Sequence, residues 1–257
     1  MRLIDALFTA RFGGCQLVRL RSAAALLVGF AFSSGQSVAQ DEWGGSLALS
    51  SDYFVRGISR TSDHPALQLD YHYASPGGLM AGVFASNSQT DPSQPENPEL
   101  SAFIGYGWNI DGDWRARIIA SHYAYPWNHA GSHYNYDEID LDLSYESWLH
   151  FDVGYSPNSP RFLAPPYQRL VGVTEKSAEV SAQRQIYAKL SLTAGVGYSF
   201  LEGPESGGYG YGSVGAAYDI RSVTLAVAYV KTTAEAKALF YNAAATGQWT
   251  GTVIWRF

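Results

Sequence analysis

Twelve segments of this chain alternate apolar and polar residues with period two, and most of them run about ten or eleven residues. That period belongs to strands, whose side chains point to opposite faces in turn. The length is the sharper constraint. Strands of soluble proteins usually run about five or six residues, whereas a tilted strand needs about nine to eleven to cross a bilayer. Residues 139–146 show the pattern plainly: Ile139, Leu141, Leu143 and Tyr145 share one face, and Asp140, Asp142, Ser144 and Glu146 share the other. The predicted strands span 43–57, 65–75, 78–88, 99–109, 113–124, 135–147, 148–157, 176–188, 190–200, 209–220, 222–232 and 248–257.

The connections alternate in length. Short turns at 75–78, 111–113 and 220–222, with equally short joins near Trp148 and Leu190, alternate with polar loops at 57–64, 89–98, 125–134, 158–175, 201–208 and 233–247. Loop 89–98 holds Pro92, Pro95 and Pro98, which cannot donate to a strand ladder. Short periplasmic turns and long extracellular loops are the two rims of a bacterial membrane barrel, and an even strand count puts both chain ends on the periplasmic rim. The expected fold is therefore an all-β, antiparallel transmembrane β-barrel of about twelve strands, occupying residues 40–257 as one domain.

Composition agrees. Aromatic residues make up 14%, with 18 Tyr and 7 Trp, while charged residues are only 16%, well below the usual quarter of a globular chain. Mean hydropathy is slightly negative, too polar for a bundle of membrane helices, and after residue 40 no apolar run is long enough for one. Arg19 and Arg21 precede an apolar stretch from Ala23 to Phe32, followed by small residues ending in Ser37-Val38-Ala39. This reads as a secretory leader over 1–39, cleaved near Ala39. Beyond it the chain carries 13 basic and 22 acidic groups, a net −9, which argues against nucleic acid as a partner. The single cysteine, Cys15, lies in the leader, so the exported chain has no disulfide or thiolate chemistry.

The last strand reads Trp-Thr-Gly-Thr-Val-Ile-Trp-Arg-Phe, with Trp249, Val253, Trp255 and Phe257 on one face. A strand ending on an aromatic carboxy-terminus resembles the signal read by the barrel-assembly machinery of the outer membrane. The expected location is thus the bacterial outer membrane, with that machinery, membrane lipid and lipopolysaccharide as partners.

Residues 50–61 read Ser-Ser-Asp-Tyr-Phe-Val-Arg-Gly-Ile-Ser-Arg-Thr; Pro65-Ala66, Asp70-Tyr71 and Gly82-Val83-Phe84-Ala85-Ser86-Asn87 follow. This set resembles the TorF family of porin-like proteins, a conserved proteobacterial outer-membrane barrel family of unknown function. The resemblance runs from about residue 43 to the end and is most specific near 51–59. Here Val55 precedes Arg56 where the family tends to have Phe, and Phe54 stands one place earlier. The resemblance implies the barrel; it does not supply a substrate.

With apolar positions assigned to lipid, the polar alternates fall in the lumen. Asp52 and Arg56 then face inward from the first strand, Gln68, Asp70 and His72 from the second, and Arg115 and Arg117 from the fifth. Asp140, Asp142, Glu146, His150 and Asp152 do so from the sixth and seventh, and Glu179 from the eighth. One reading is a pore for passive diffusion of small polar solutes, with these charges as its lining and a mild cation preference. The other is a lumen closed by paired charges, in a non-conducting barrel that stiffens the membrane or binds a partner. Twelve strands lie between the filled eight-stranded and the open sixteen-stranded barrels, and the pore is the primary expectation. A lipid-modifying enzyme comes third: Ser121 and His122 are adjacent, so on a strand they point to opposite faces. No catalytic residue is predicted. His122, His129 and His133 cluster near one rim without metal-ligand spacing, and no metal or cofactor is expected. Most aromatics near strand ends, Tyr71, Trp114 and Trp148 among them, are read as interfacial girdles.

Overall fold

The computed structural model describes residues 42–89, 96–127, 134–163, 169–203, 206–240 and 246–257. The expected leader lies outside the described residues, as do His129 and His133. The chain order is β1 (Glu42–Ser50), β2 (Phe54–Val55), β3 (Ile58–Ser59), β4 (Ala66–Ala74), β5 (Leu79–Ser88), β6 (Asn97–Asp111), β7 (Trp114–Ala124) and β8 (Tyr136–Tyr145). There follow β9 (Leu149–Leu163), β10 (Arg169–Tyr187), β11 (Leu190–Glu202), β12 (Gly207–Ile220), β13 (Val223–Thr232), the short helix α1 (Ala236–Leu239) and β14 (Gln248–Arg256).

The twelve strands β1 and β4–β14 form a closed antiparallel barrel, each paired with its chain neighbour in the wall and β1 closing on β14. Alternation decides the facing. On β1 the outward Leu47 and Leu49 are exposed, while Ser46, Ala48 and Ser50 between them are buried inside. The same holds on β8, where Ile139 and Leu141 are exposed and Glu138, Asp140 and Asp142 are buried. Directly opposed residues on paired strands share a face, so the outward apolar positions merge into a belt around the wall. Stacked aromatics edge that belt near the rim with the chain ends, where Trp43 lies on Tyr71 at 5.6 Å and Trp114 on Phe151 at 6.3 Å.

The terminal strand closes the barrel. Ile254 and Val253 of β14 pair with Ala48 and Leu49 of β1 on one side and with Thr224 and Leu225 of β13 on the other. The Phe257 amide donates to the Gly45 carbonyl at 3.1 Å, and the Gly45 amide donates to the Phe257 carbonyl at 3.0 Å. Trp249, Val253, Trp255 and Phe257 all point outward and are exposed.

Three expected boundaries change. The first wall strand ends at Ser50 rather than 57, and residues 51–65 leave the wall. The expected loop 158–175 is mostly strand: β9 runs to Leu163 and β10 starts at Arg169. The expected loop 89–98 ends early, because β6 starts at Asn97 and Pro98 pairs with Asn87.

Candidate functional site

The segment between β1 and β4 makes a second, two-stranded sheet inside the barrel. Phe54 pairs with Ser59 and Val55 with Ile58, so the turn between them is the pair Arg56-Gly57. Both have positive φ, 51° and 75°, as a two-residue type I′ hairpin turn requires. The hairpin spreads its apolar side chains across the lumen. Phe54 packs on Ala217, Ala226, Ala228 and Val230 of β12 and β13. Tyr53 and Val55 meet Ala66 and Phe84 of β4 and β5. Ile58 meets Val173, Leu201, Tyr209 and Tyr211 of β10–β12. Full burial of a Val, Ile or Phe side chain contributes about 1.5–3 kcal/mol, so three of them hold the hairpin firmly inside.

Asp52 builds the base of this hairpin. Ser59 and Thr61 donate their hydroxyls to its Oδ1 at 2.6 and 2.8 Å, and the Tyr53 amide donates to the same atom at 2.7 Å. Burial pushes the Asp52 carboxyl above its ordinary pKa, and these three hydrogen bonds oppose the shift. The Tyr53 hydroxyl reaches the neighbouring β6 and donates to Glu99 at 3.0 Å, where Tyr125 also donates at 2.5 Å.

Arg56 extends from the tip to the far wall. Its Nη1 donates to Glu175 Oε1 of β10 at 2.7 Å and its Nη2 to Glu138 Oε1 of β8 at 2.7 Å, with Asp140 Oδ1 at 3.8 Å. Between β8 and β10 lies β9, and there the guanidinium crosses Gly154. A Cβ at that position would stand 2.5 Å from Arg56 Nη2 and 2.9 Å from Asp140 Oδ1. Only a glycine leaves the wall flat enough for the arginine to bridge both neighbouring strands.

Glu175 is held in turn by hydroxyls. Ser159 donates to its Oε2 at 2.6 Å and Ser199 to its Oε1 at 2.9 Å. A β-bulge aims Ser159. Val173 pairs with Ser159 and Glu175 with Ser156, so β9 carries an extra residue around Pro157 and Asn158. An extra residue reverses the alternation, which turns Ser159 as well as Ser156 inward.

The other predicted lining residues divide by position. Asp70 and His72 face the lumen together on β4, with His72 Nδ1 at 2.6 Å from Asp70 Oδ1. Arg117 Nε lies 3.4 Å from Asp142 Oδ1, and His150 Nδ1 lies 3.2 Å from Asp142 Oδ2. Asp152 stands between Asp142 and Glu179 in one cross-strand row. Arg115 shares the inward face of Ser144 and sits at the mouth, where its Nη1 donates to Ser147 at 3.4 Å. Three positions are corrected. Asp52 and Arg56 do not stand on the wall: both belong to the inserted hairpin, because the chain leaves β1 after Ser50. Glu146 does not line the lumen at all. It sits in the turn after β8 with φ 45°, exposed, and accepts a hydrogen bond from the Trp148 indole at 3.2 Å. His122 points outward and pairs with Asp137, Nδ1 to Oδ1 at 2.7 Å. Among the described residues no group of three or more His, Cys, Asp or Glu is arranged to hold a metal.

The inserted segment fills the space it enters. Gln68, Glu99, Glu138, Ser191, Ser199 and Thr224 all face inward, yet each is 1% exposed or less. The lining of a wide aqueous pore stays in contact with water. Here hairpin and lining side chains together occupy the lumen at those levels.

The sequence matches a family model described as "Bacterial protein of unknown function (Gcw_chp)" over residues 36–256. No curated protein matches it. Among solved structures, the NanC porin superposes with a TM-score of 0.53 at 9% identity, over 83% of this chain and 98% of that one. A membrane protein from work on in-meso crystallization gives 0.51 at 12% identity, over 83% of each chain. The KdgM porin gives 0.49 at 8% identity, over 83% of this chain and 98% of that one. These likenesses are likenesses of fold.

Proposed function

The chain belongs to the Gcw_chp family of bacterial proteins of unknown function, and from its lumen we propose that it is an outer-membrane channel for small polar solutes, held closed at rest by its own hairpin. The observation that carries this reading is that the wall closes without the hairpin. The hairpin seats its apolar side chains on a few apolar patches of the lining, but around them Ser, Thr, Asp and Glu face inward around the barrel. A barrel closed only for stability gains more from an apolar filling. The resemblance of residues 50–61 to a porin-like family supports the same reading.

In this reading the outward belt meets lipid and lipopolysaccharide, and the rim with the chain ends faces the periplasm. The hairpin enters from outside. The leader over 1–39 directs export, and the outward face of Trp249, Val253, Trp255 and Phe257 is offered to the assembly machinery. The channel needs no cofactor and performs no catalysis. Asp70, Glu99, Glu138, Asp140, Asp142, Asp152, Glu175 and Glu179 outnumber the lumen arginines, so an open lumen prefers cations.

Planar-bilayer recording tests this. The wild-type barrel is expected to pass little current, and a barrel with residues 52–61 replaced by a short Gly-Ser linker to give steady conductance steps and a cation-selective reversal potential. Silence from the folded, linker-bearing barrel would sink the channel and leave the second reading, a closed barrel binding a partner through its outer loops, which the filled lumen favours. The membrane setting has its own check. Leu141→Arg on the outward face is expected to cost about 2–4 kcal/mol of stability in vesicles, as a midplane charge does; an unchanged urea midpoint would contradict a lipid-facing belt.

A further inference from the structure

We propose that the carboxylate cage around Arg56 is a binding site for guanidinium and related small organic cations, occupied in the closed barrel by the hairpin's own arginine. Four features make it a built site rather than a chance grouping of acids. A guanidinium already sits in it, taken by two carboxylates from different strands at 2.7 Å each. Gly154 leaves a flat floor that a Cβ would block. Ser159 and Ser199 fix Glu175 before any cation arrives, and the bulge in β9 exists at the place that turns Ser159 toward it.

Charge points to the occupant. Glu138, Asp140 and Glu175 surround one guanidinium, so withdrawing the hairpin takes away the cation that these three carboxylates share. A planar cation with forked donors satisfies two separated carboxylates at once, which a compact ammonium or sodium ion does less well. The hairpin tip therefore imitates a solute. Withdrawal of the hairpin, which opens the lumen, also exposes the cage, and a cation that takes the cage opposes the hairpin's return. As a solute site the cage rests on the channel reading; as a binding site it does not.

The test is chemical rescue. Arg56→Gly vacates the cage, and the positive φ of 51° at that position suits glycine. Thermal unfolding of the folded variant in detergent is followed against guanidinium chloride in the low millimolar range, far below denaturing levels, with sodium and choline chloride at equal ionic strength. Guanidinium is expected to raise the midpoint saturably, recovering at least half of the loss. Wild type should not respond, nor should Arg56→Gly carrying Glu138→Gln and Glu175→Gln. A response to guanidinium no greater than that to sodium would overturn the proposal. The same titration on the barrel with the 52–61 linker covers the case in which Arg56→Gly does not fold. Saturable rescue in a linker-bearing barrel that passes no current would uphold the cage and reject the channel.

Discussion

Arg56→Gly is expected to lower the stability of the folded barrel by about 3–5 kcal/mol, the cost of removing one partner from a buried ion pair. The loss comes from the carboxylates left behind. Glu138 and Glu175 keep their positions in the wall and lose the cation that offsets their desolvation. The turn itself is spared, because glycine tolerates the left-handed conformation that Arg56 adopts. Adding Glu138→Gln and Glu175→Gln to the same variant should recover part of the loss, since neutral amides cost less to bury. The Lys176–Glu202 pair on the outer surface is a control: both side chains are about half exposed, and Lys176→Gln should change stability by no more than about 1 kcal/mol. Urea midpoints of the four barrels in one detergent decide the matter. Equal midpoints for wild type and Arg56→Gly would mean that the guanidinium is not seated between these carboxylates.

Gly154→Ala should be costly for a residue whose outward neighbours are unremarkable. The added methyl would stand 2.5 Å from Arg56 Nη2, 2.6 Å from Ser177 Oγ and 2.9 Å from Asp140 Oδ1. Overpacking of this kind costs about 1–3 kcal/mol, and displacement of the guanidinium adds part of the ion-pair loss. The two substitutions share a cause, so they should not add. In the Arg56→Gly background the arginine is gone, and Gly154→Ala should cost less by about 0.5–3 kcal/mol, the range of coupling between residues in contact. A strictly additive double-mutant cycle would place the two residues apart and remove Gly154 from the cage.

The wall was legible because a barrel imposes one rule on every strand. Ile139 to Tyr145 alternate outward and inward, and the structure places Asp140 and Asp142 in the lumen as the alternation requires. Glu138 was open to the same inference, being two residues before Asp140 on the same face. The inserted hairpin was not. Residues 53–55 are three β-forming residues in succession, and on a hairpin crossing the lumen both faces meet the barrel interior, so no alternation marks where the wall ends. Arg56-Gly57 is a weak turn signal beside Asn-Gly, although both residues adopt the same conformation. Glu175 was hidden in the expected loop 158–175, where Pro160 reads as loop but lies within β9, whose bulge absorbs the irregularity. Residues 51–59, where the sequence resembles a porin-like family most specifically, thus form no part of the wall. They supply the plug.

Thiol accessibility inside the lumen tests that plug most directly. Ser177 faces inward on β10, is 6% exposed, and lies beside the guanidinium's crossing point over Gly154. With Cys15 replaced by serine, Ser177→Cys gives a barrel with one thiol at that level. Labelling by a small water-soluble thiol reagent is expected to be very slow while the hairpin is present and at least tenfold faster once residues 52–61 are replaced by the linker. Equally fast labelling of both barrels would show that the hairpin does not fill the lumen, and would contradict the account at its centre.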